Sequence, residues 1–581
     1  MEASRNSSIE DHSAAASPRL ILGAVISALT AIAIIIAWQG SPNGREWFRV
    51  AAIFASWLAV VLVTPAREPS RRRELMVVAL LLTTTTCGFI ALYDPVTNWL
   101  HGDDFYRALM SVEWWHGSEV HADHYGCGWC EGQGLSMLEH RGPFIYPGDM
   151  SWLPFQFYVY GLAVPLVQGN LHFGLTAVSQ LLGTLSVLML YLLARELYGP
   201  RVATVVATLL ALTSWHAVIS LSCLAEPLYY ALALASLWML MRWLRSGRSV
   251  ELAVLTALLM LLSMTRNEAW LLIGLAQLAV ASRLYRRVGR SRRGHLLAWA
   301  ALLLPAVLPV MWCWQSWLVH GHVLNYYQVN RGWFDQAMGD WSLRWRLLTY
   351  PCALYDISHV VCVGFLVAIL AGRWTLNRRN GLVILFGAIH LAILIGLFIL
   401  GSAPLFVERI VLLHFALMLP VVSALIVRCL DRAGPMVRVV AAAGLILYGG
   451  EQFQRAASIF DSGDFCDHPQ VREPYARLGE FLRQRRGHIT GAVVVDTDDR
   501  DHLISIFASL PGRVRSLNAG EESPVLEERG VEIFCVPMQE LGRNWSHGIA
   551  EARFLDLNSP AMWHVYELES WRIYTMHQRT D

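Results

Sequence analysis

The chain has 581 residues, 55% of them apolar and 16% charged, with a net charge of +1 and a mean hydropathy of +0.41. That balance excludes an ordinary soluble fold, in which about a quarter of residues are charged. The absence of a basic patch interleaved with aromatic residues gives nucleic-acid binding no footing.

The first eighteen residues, 1–18, are polar and are expected to form a cytoplasmic tail. Beyond them, apolar runs of about 17–24 residues recur, each about long enough to cross a hydrocarbon core of about 30 Å as a helix. They lack the alternation of a membrane barrel. The pattern predicts spans at 19–38, 48–64, 75–93, 171–194, 201–220, 226–243, 249–264, 267–282, 296–318, 355–372, 381–400, 409–427 and 436–450, about thirteen in all. The first run, LILGAVISALTAIAIIIAW, exceeds a signal-peptide core and is followed by no convincing cleavage site, so it reads as a retained helix. Residues 152–168 carry Pro154 and Pro165 and read as an interfacial helix.

All 46 basic residues are arginine, a bias compatible with GC-rich coding and with phosphate recognition alike. The connections REPSRRRE, ARELYGPR, MRWLRSGR, SRLYRRVGRSRRGH, GRWTLNRRN and RCLDRAGPMVR all fall on one side of these spans. The positive-inside rule makes that side the cytoplasm and puts the long connections 94–170 and 319–354 outside. After the last span, 451–581 returns to ordinary charge density. There GAVVVDTDD, DHLISIFASL, VEIFCVP and WHVYELESWRIYTM read as strand, helix, strand and strand of a small extracytoplasmic α/β domain. The expected fold class is therefore an α-helical polytopic membrane protein with that domain at its C-terminus.

The stretch HGDDFYRALMSVEWWHG places Asp103 and Asp104 at the outer membrane edge. Asp103 can cap a helix and pair with Arg107, or the two carboxylates can meet a lipid headgroup and an outer acceptor. Ionisable residues also stand in or at the ends of spans: Glu226 in SCLAEPLYY, Arg266 and Glu268 in SMTRNEAW, Glu408 and Arg409 in PLFVERIVLL. Charges at such depth are costly and usually pair or face a polar cavity, although each adjacent pair can also simply mark a helix end. In EVHADHYGCGWCEGQG, the residues His121, Asp123, His124, Cys127 and Cys130 have spacings open to zinc, to a redox pair, or to a disulfide that shapes an oxidised outer loop.

In this order, HGDDFY, WLPFQFYVYGLAVPLVQGN, ALTSWHAVISLSCLAEPLYYALALASLWML, TRNEAWLL and ERIVLLHFALMLP resemble the GT-C glycosyltransferases, in particular bacterial relatives of protein O-mannosyltransferases and lipid A aminoarabinose transferases. The resemblance covers roughly 75–430. It divides the chain into the tail, two extra N-terminal helices (19–74), a GT-C-like catalytic domain (75–450) and the outer domain (451–581). It implies transfer of a sugar from a polyprenyl-phosphate donor to a protein, lipid or glycan acceptor, usually with inversion, in a bacterial inner membrane. The family's first outer loop carries an Asp followed by an acidic residue, matched here by Asp103 as general base and Asp104 in support, with Asp where relatives usually have Glu. Arg409 resembles the family's late-helix arginine and Arg266 is the other phosphate candidate, with Glu226 and Glu268 beside them. Tyr106 is a candidate for substrate binding, and Trp152 and the pair Trp114 and Trp115 could stack on sugar faces, although an interfacial aromatic belt is the plainer reading of the tryptophans. The close relatives imply no required cofactor, while the adjacent carboxylates leave Mg²⁺ or Mn²⁺ open.

Two rivals fit the same gross features. A flippase of lipid-linked sugars would have many spans but more often repeated halves, and no repeat is seen. An O-antigen-ligase-like polymer ligase would rely on Arg and His in a large outer loop, where His320, His322 and Arg331 stand.

Overall fold

The computed structural model describes residues 71–91, 102–116, 153–167, 169–287, 292–324, 341–372, 378–401, 407–432, 469–495, 501–510, 513–516, 531–537, 563–568 and 570–576, with scattered positions in 327–338 and 448–459. The expected spans 19–38 and 48–64, almost all of 436–450, and the His121 to Cys130 motif lie outside these residues.

The chain divides into two units, Met1–Ala91 and Leu92–Asp581. The first contributes helix α1, Arg71–Ala91, in which Thr85 returns its hydroxyl to the Leu81 carbonyl. The second begins with α2, Gly102–His116, and two short helices, α3, Phe155–Gly161, and α4, Val164–Val167. These last two fall where an interfacial helix was expected, and Pro154 starts the first of them.

The helical core follows: α5, Leu171–Tyr198; α6, Pro200–Leu212; α7, Ser214–Ser220; α8, Glu226–Ser246; α9, Ser249–Ser263; α10, Ala269–Arg287; α11, Arg292–His320; α12, Leu343–Ile357; α13, His359–Leu370; α14, Arg378–Ile399; and α15, Val407–Arg432. Local chemistry sets the ends of several. Asn170 caps α5 by accepting from the Phe173 amide, Pro200 opens α6 after Gly199, and Gly247 closes α8 in the left-handed conformation, φ 70°. Small and polar residues of α5 carry its packing: the Ser179 hydroxyl donates to the Ser222 carbonyl at 2.6 Å, and Ser186 lies 2.8 Å from His216 Nε2.

Among the described residues, Leu171–Tyr198, Trp299–Leu318, Asn380–Ile399 and Val407–Cys429 are long and apolar enough to cross a membrane, and two bent pairs bring the number to six. The expected span at 201–220 is one of these pairs, α6 and α7 meeting at 66°, and the span at 355–372 opens at the other, a 104° corner between α12 and α13. The cause is local. Thr213 turns its hydroxyl to the Leu209 carbonyl, and Ser358 caps α13 by accepting from the Val361 amide. The count of thirteen spans is not reached within the described residues.

Gln452 holds both breaks. Its side-chain oxygen accepts from the amide and hydroxyl of Ser214, each at 3.0 Å, and its amide donates to the Ile357 carbonyl at 2.9 Å. Gln452 is 1% exposed. Gln452→Leu strands two buried backbone groups at about 1–3 kcal/mol each, so the detergent-solubilised variant is expected to lose about 2–4 kcal/mol in thermal unfolding.

The C-terminal elements are α16, Pro469–Arg485; a 3₁₀ turn, Arg486–His488; β1, Ala492–Val495; α17, Asp501–Ala508; β2, Val514–Ser516; β3, Val531–Pro537; β4, Trp563–Leu568; and β5, Trp571–Met576. The sheet order is β2-β1-β3-β5-β4, with β1 parallel to β2 and β3, and β5 antiparallel to β3 and β4. The last expected strand is thus two. Leu568 pairs with Trp571 across a two-residue turn, which the unbroken aromatic alternation of WHVYELESWRIYTM conceals. Helix α16 and the short β2 were not foreseen. Gly479 lets α16 approach α17, since a Cβ there would stand 2.2 Å from that of Phe507. Burial in the sheet pushes the Cys535 thiol well up, which makes it an apolar core residue rather than a reactive one.

Helix α17 also packs on the helical core. Phe507 meets Phe105 of α2 edge-on at 5.3 Å and stacks on His172 of α5 at 5.1 Å. The Ser509 hydroxyl, on a residue with φ 54°, accepts from the Leu171 amide at the start of α5. The C-terminal sheet is therefore anchored on the helix that carries Asp103 and Asp104.

Candidate active site

Four of the residues singled out from the sequence come together. Glu226 opens α8 with Pro227 behind it, a position where a carboxylate complements the exposed amides of the first turn. Arg266 and Glu268 occupy the turn between α9 and α10. Arg409 lies in the first turn of α15. Arg266 forks onto Glu268 through Nε and Nη2, each at 3.0 Å, and its Nη1 donates to Glu226 Oε1. The same oxygen accepts from Arg409 Nε at 2.8 Å. The cluster is buried: Glu226 is 0%, Arg409 7% and Glu268 8% exposed. Neither the Arg266 nor the Arg409 charge simply marks a helix end, because each is tied to Glu226, 40 and 183 positions away.

Two layers support the cluster. The Tyr230 hydroxyl donates to the Arg409 carbonyl and so joins α8 to α15. Below Glu268, His390 Nε2 lies 3.0 Å from its carbonyl, and His390 Nδ1 lies 2.9 Å from His414 Nε2. A carbonyl only accepts, so with both rings neutral His390 would carry its proton on Nε2 and accept at Nδ1 from His414 Nε2.

Asp103 and Asp104 lie in the first turn of α2; their side chains, with those of Tyr106 and Trp114, and all of Trp152, fall outside the described residues. The placement of α2 is described. Arg107, one turn on and 4% exposed, donates to Gln156 of α3 and is near enough to Glu226 for its charge to act on it. The start of α3 is tied to the Arg266 turn by the Phe155 amide, which donates to the Met264 carbonyl at 3.0 Å, and Tyr160 donates to the Leu224 carbonyl just before Glu226. The helix bearing the two aspartates is thereby held beside the ion cluster. Glu408 is half-buried, while Trp115, His322 and Arg331 are exposed. Among the described residues, no three His, Cys, Asp or Glu side chains gather into a metal-binding group.

Sequence reasoning named Arg107 only as a partner for Asp103, and missed its bond to Gln156; it also missed Tyr229, Tyr230, Tyr350, His390 and His414. The two histidines could have been found, since each is an ionisable residue inside an apolar run. The tyrosines give no such signal.

Comparison with known proteins agrees with this architecture. Residues 153–314, from α3 into α11, match the family model described as dolichyl-phosphate-mannose-protein mannosyltransferase. The fold is similar to that of ArnT from Cupriavidus metallidurans bound to undecaprenyl phosphate, with TM-score 0.54 and 13% identity over 87% of this chain and 98% of that one. The Archaeoglobus fulgidus oligosaccharyltransferase, crystallised with zinc and sulfate, also aligns, with TM-score 0.46 and 16% identity over 87% of this chain and 73% of that one. No curated protein sequence matches significantly. The chain is thus a multi-pass membrane protein with the GT-C fold. Within that class, its matched region is similar to the protein mannosyltransferase family and its fold to ArnT, as the motif order implies.

Proposed function

We propose that the protein transfers a sugar from a polyprenyl-phosphate donor to an extracytoplasmic acceptor, with inversion, in a bacterial inner membrane. The observation that carries this reading is the convergence of Glu226, Arg266, Glu268 and Arg409, from three separate parts of the chain, into one buried ion cluster beside the helix of Asp103. Undecaprenyl phosphate in the ArnT structure supports a lipid-linked donor.

Asp103 takes the proton of the acceptor hydroxyl as that oxygen attacks the anomeric carbon, and Asp104 supports it. The bond from the anomeric carbon to the phosphate oxygen breaks on the opposite face, and the carrier leaves as its phosphate. That leaving group is already a stable anion, so it needs a matching cation rather than a general acid. Arg409 supplies it, with Arg266 behind. Glu226 and Glu268 hold both guanidinium groups in place. In this topology the N-terminus and the arginine-rich connections are cytoplasmic and the C-terminal sheet is outside.

The test is to give membranes containing the protein a radiolabelled polyprenyl-phosphate sugar. A labelled glycosidic product is expected; label that crosses the bilayer without such a product would favour the flippase. The arginines supply the charge that the leaving phosphate needs, so EDTA is expected to leave the initial rate within about twofold. Loss of transfer restored by Mg²⁺ or Mn²⁺ would put a cation at the carboxylates instead.

A further inference from the structure

Three polar atoms near Arg266 are buried without a hydrogen-bond partner among the described residues: Oε2 of Glu226 and the hydroxyls of Tyr229 and Tyr350. Glu226 and Tyr350 are 0% exposed and Tyr229 is 2% exposed. Both phenols lie close enough to the Arg266 and Glu268 pair for its charges to act on them. They reach it from distant parts of the chain. Tyr229 is in the first turn of α8, and Tyr350 is in the middle of α12, where Phe398 meets its ring edge-on at 5.5 Å.

The chemistry of these atoms is selective. A carboxylate oxygen only accepts, whereas a phenol both donates and accepts. A phosphate presents only acceptors, so it would leave Glu226 Oε2 unmet and set one negative charge against another. A sugar hydroxyl presents both: it can donate to Oε2 and accept from either phenol. We infer that Glu226 Oε2, Tyr229 and Tyr350 seat the hydroxyl groups of the donor's sugar ring, beside the arginines that hold its phosphate. This rests on the donor reading above and adds the residues that recognise the glycosyl unit.

Removing only the phenolic oxygen tests it. Full-length protein and its Tyr229→Phe and Tyr350→Phe variants are titrated with undecaprenyl phosphate carrying mannose, glucose or arabinose, and with bare undecaprenyl phosphate. Each variant is expected to bind the glycosylated carrier that the wild type prefers about three- to tenfold more weakly. Affinity for the bare carrier should be unchanged, and the melting temperature equal or higher, because a buried unpaired hydroxyl has been removed. A lower melting temperature with unchanged affinity would make the phenols structural and overturn the inference. Equal weakening toward both carriers would assign them to the phosphate and overturn it as well. If the wild type prefers no glycosylated carrier over the bare one, the donor reading falls and this inference with it.

Discussion

Asp103→Asn is expected to lower the turnover of sugar transfer by about 10²–10⁴-fold, the usual contribution of a positioned general base. The amide has nearly the volume of the carboxylate, but it cannot take a proton from the acceptor. Expression and donor affinity should therefore stay close to wild type while turnover collapses. Asp104→Asn is expected to cost less, since its role is supporting. Transfer in membranes with the radiolabelled donor separates the two, and full activity of a normally expressed Asp103→Asn protein would remove Asp103 as the base. The contacts of Phe105 with Phe507 and His172 and the bond of Arg107 to Gln156 hold α2 on its inner face, so a local loss at its first turn need not unfold it.

Glu226→Gln is expected to destabilise the protein by about 3–5 kcal/mol, the scale seen when one partner of a buried ion pair is removed. One carboxylate oxygen serves two arginines, so the change leaves both Arg266 and Arg409 facing a neutral amide in a site shielded from water. Glu268→Gln is expected to cost less, because Arg266 keeps Glu226 and its fork retains one acceptor. Arg409→Met in the Glu226→Gln background should recover part of the loss by removing the stranded charge, so the two changes will not add. Thermal unfolding of the single and double variants in detergent reads the coupling directly. Additive losses would show that Glu226 and Arg409 do not act as a pair.

Apolar runs and isolated charges made much of this legible. The long spans of α5, α11, α14 and α15 follow from hydropathy, and α8 begins at the residue where its apolar run begins. Glu226, Arg266, Glu268 and Arg409 stood out because unpaired charge at that depth is too costly to be left without a role. What sequence could not show is how the chain turns. A hydropathy window averages across Thr213 and Ser358, yet there a single hydroxyl releases the helix and Gln452, far along the chain, secures the break. Tyr350 is hidden for the same reason: the 104° corner presents α12, part of what reads as a long outer loop, to the ion cluster. The twofold alternation that marks β4 and β5 as strands also masks the turn between them.

The short helices have a consequence for the surrounding lipid. Helix α9 has 15 residues and α13 has 12, so at about 1.5 Å per residue they are about 22 and 18 Å long. Neither spans an about 30 Å core. With their arginine-flanked ends at the inner surface, as in the proposed topology, their other ends stop about a third of the way down from the outer one, and the Arg266 turn and the Ser358 corner lie there. Under the proposed topology and donor, a bilayer thinned at these helices would bring a carrier headgroup down to the guanidinium groups without lifting its chain out of the lipid. Turnover should then fall in bilayers of longer acyl chains, where the same dimple costs more elastic energy.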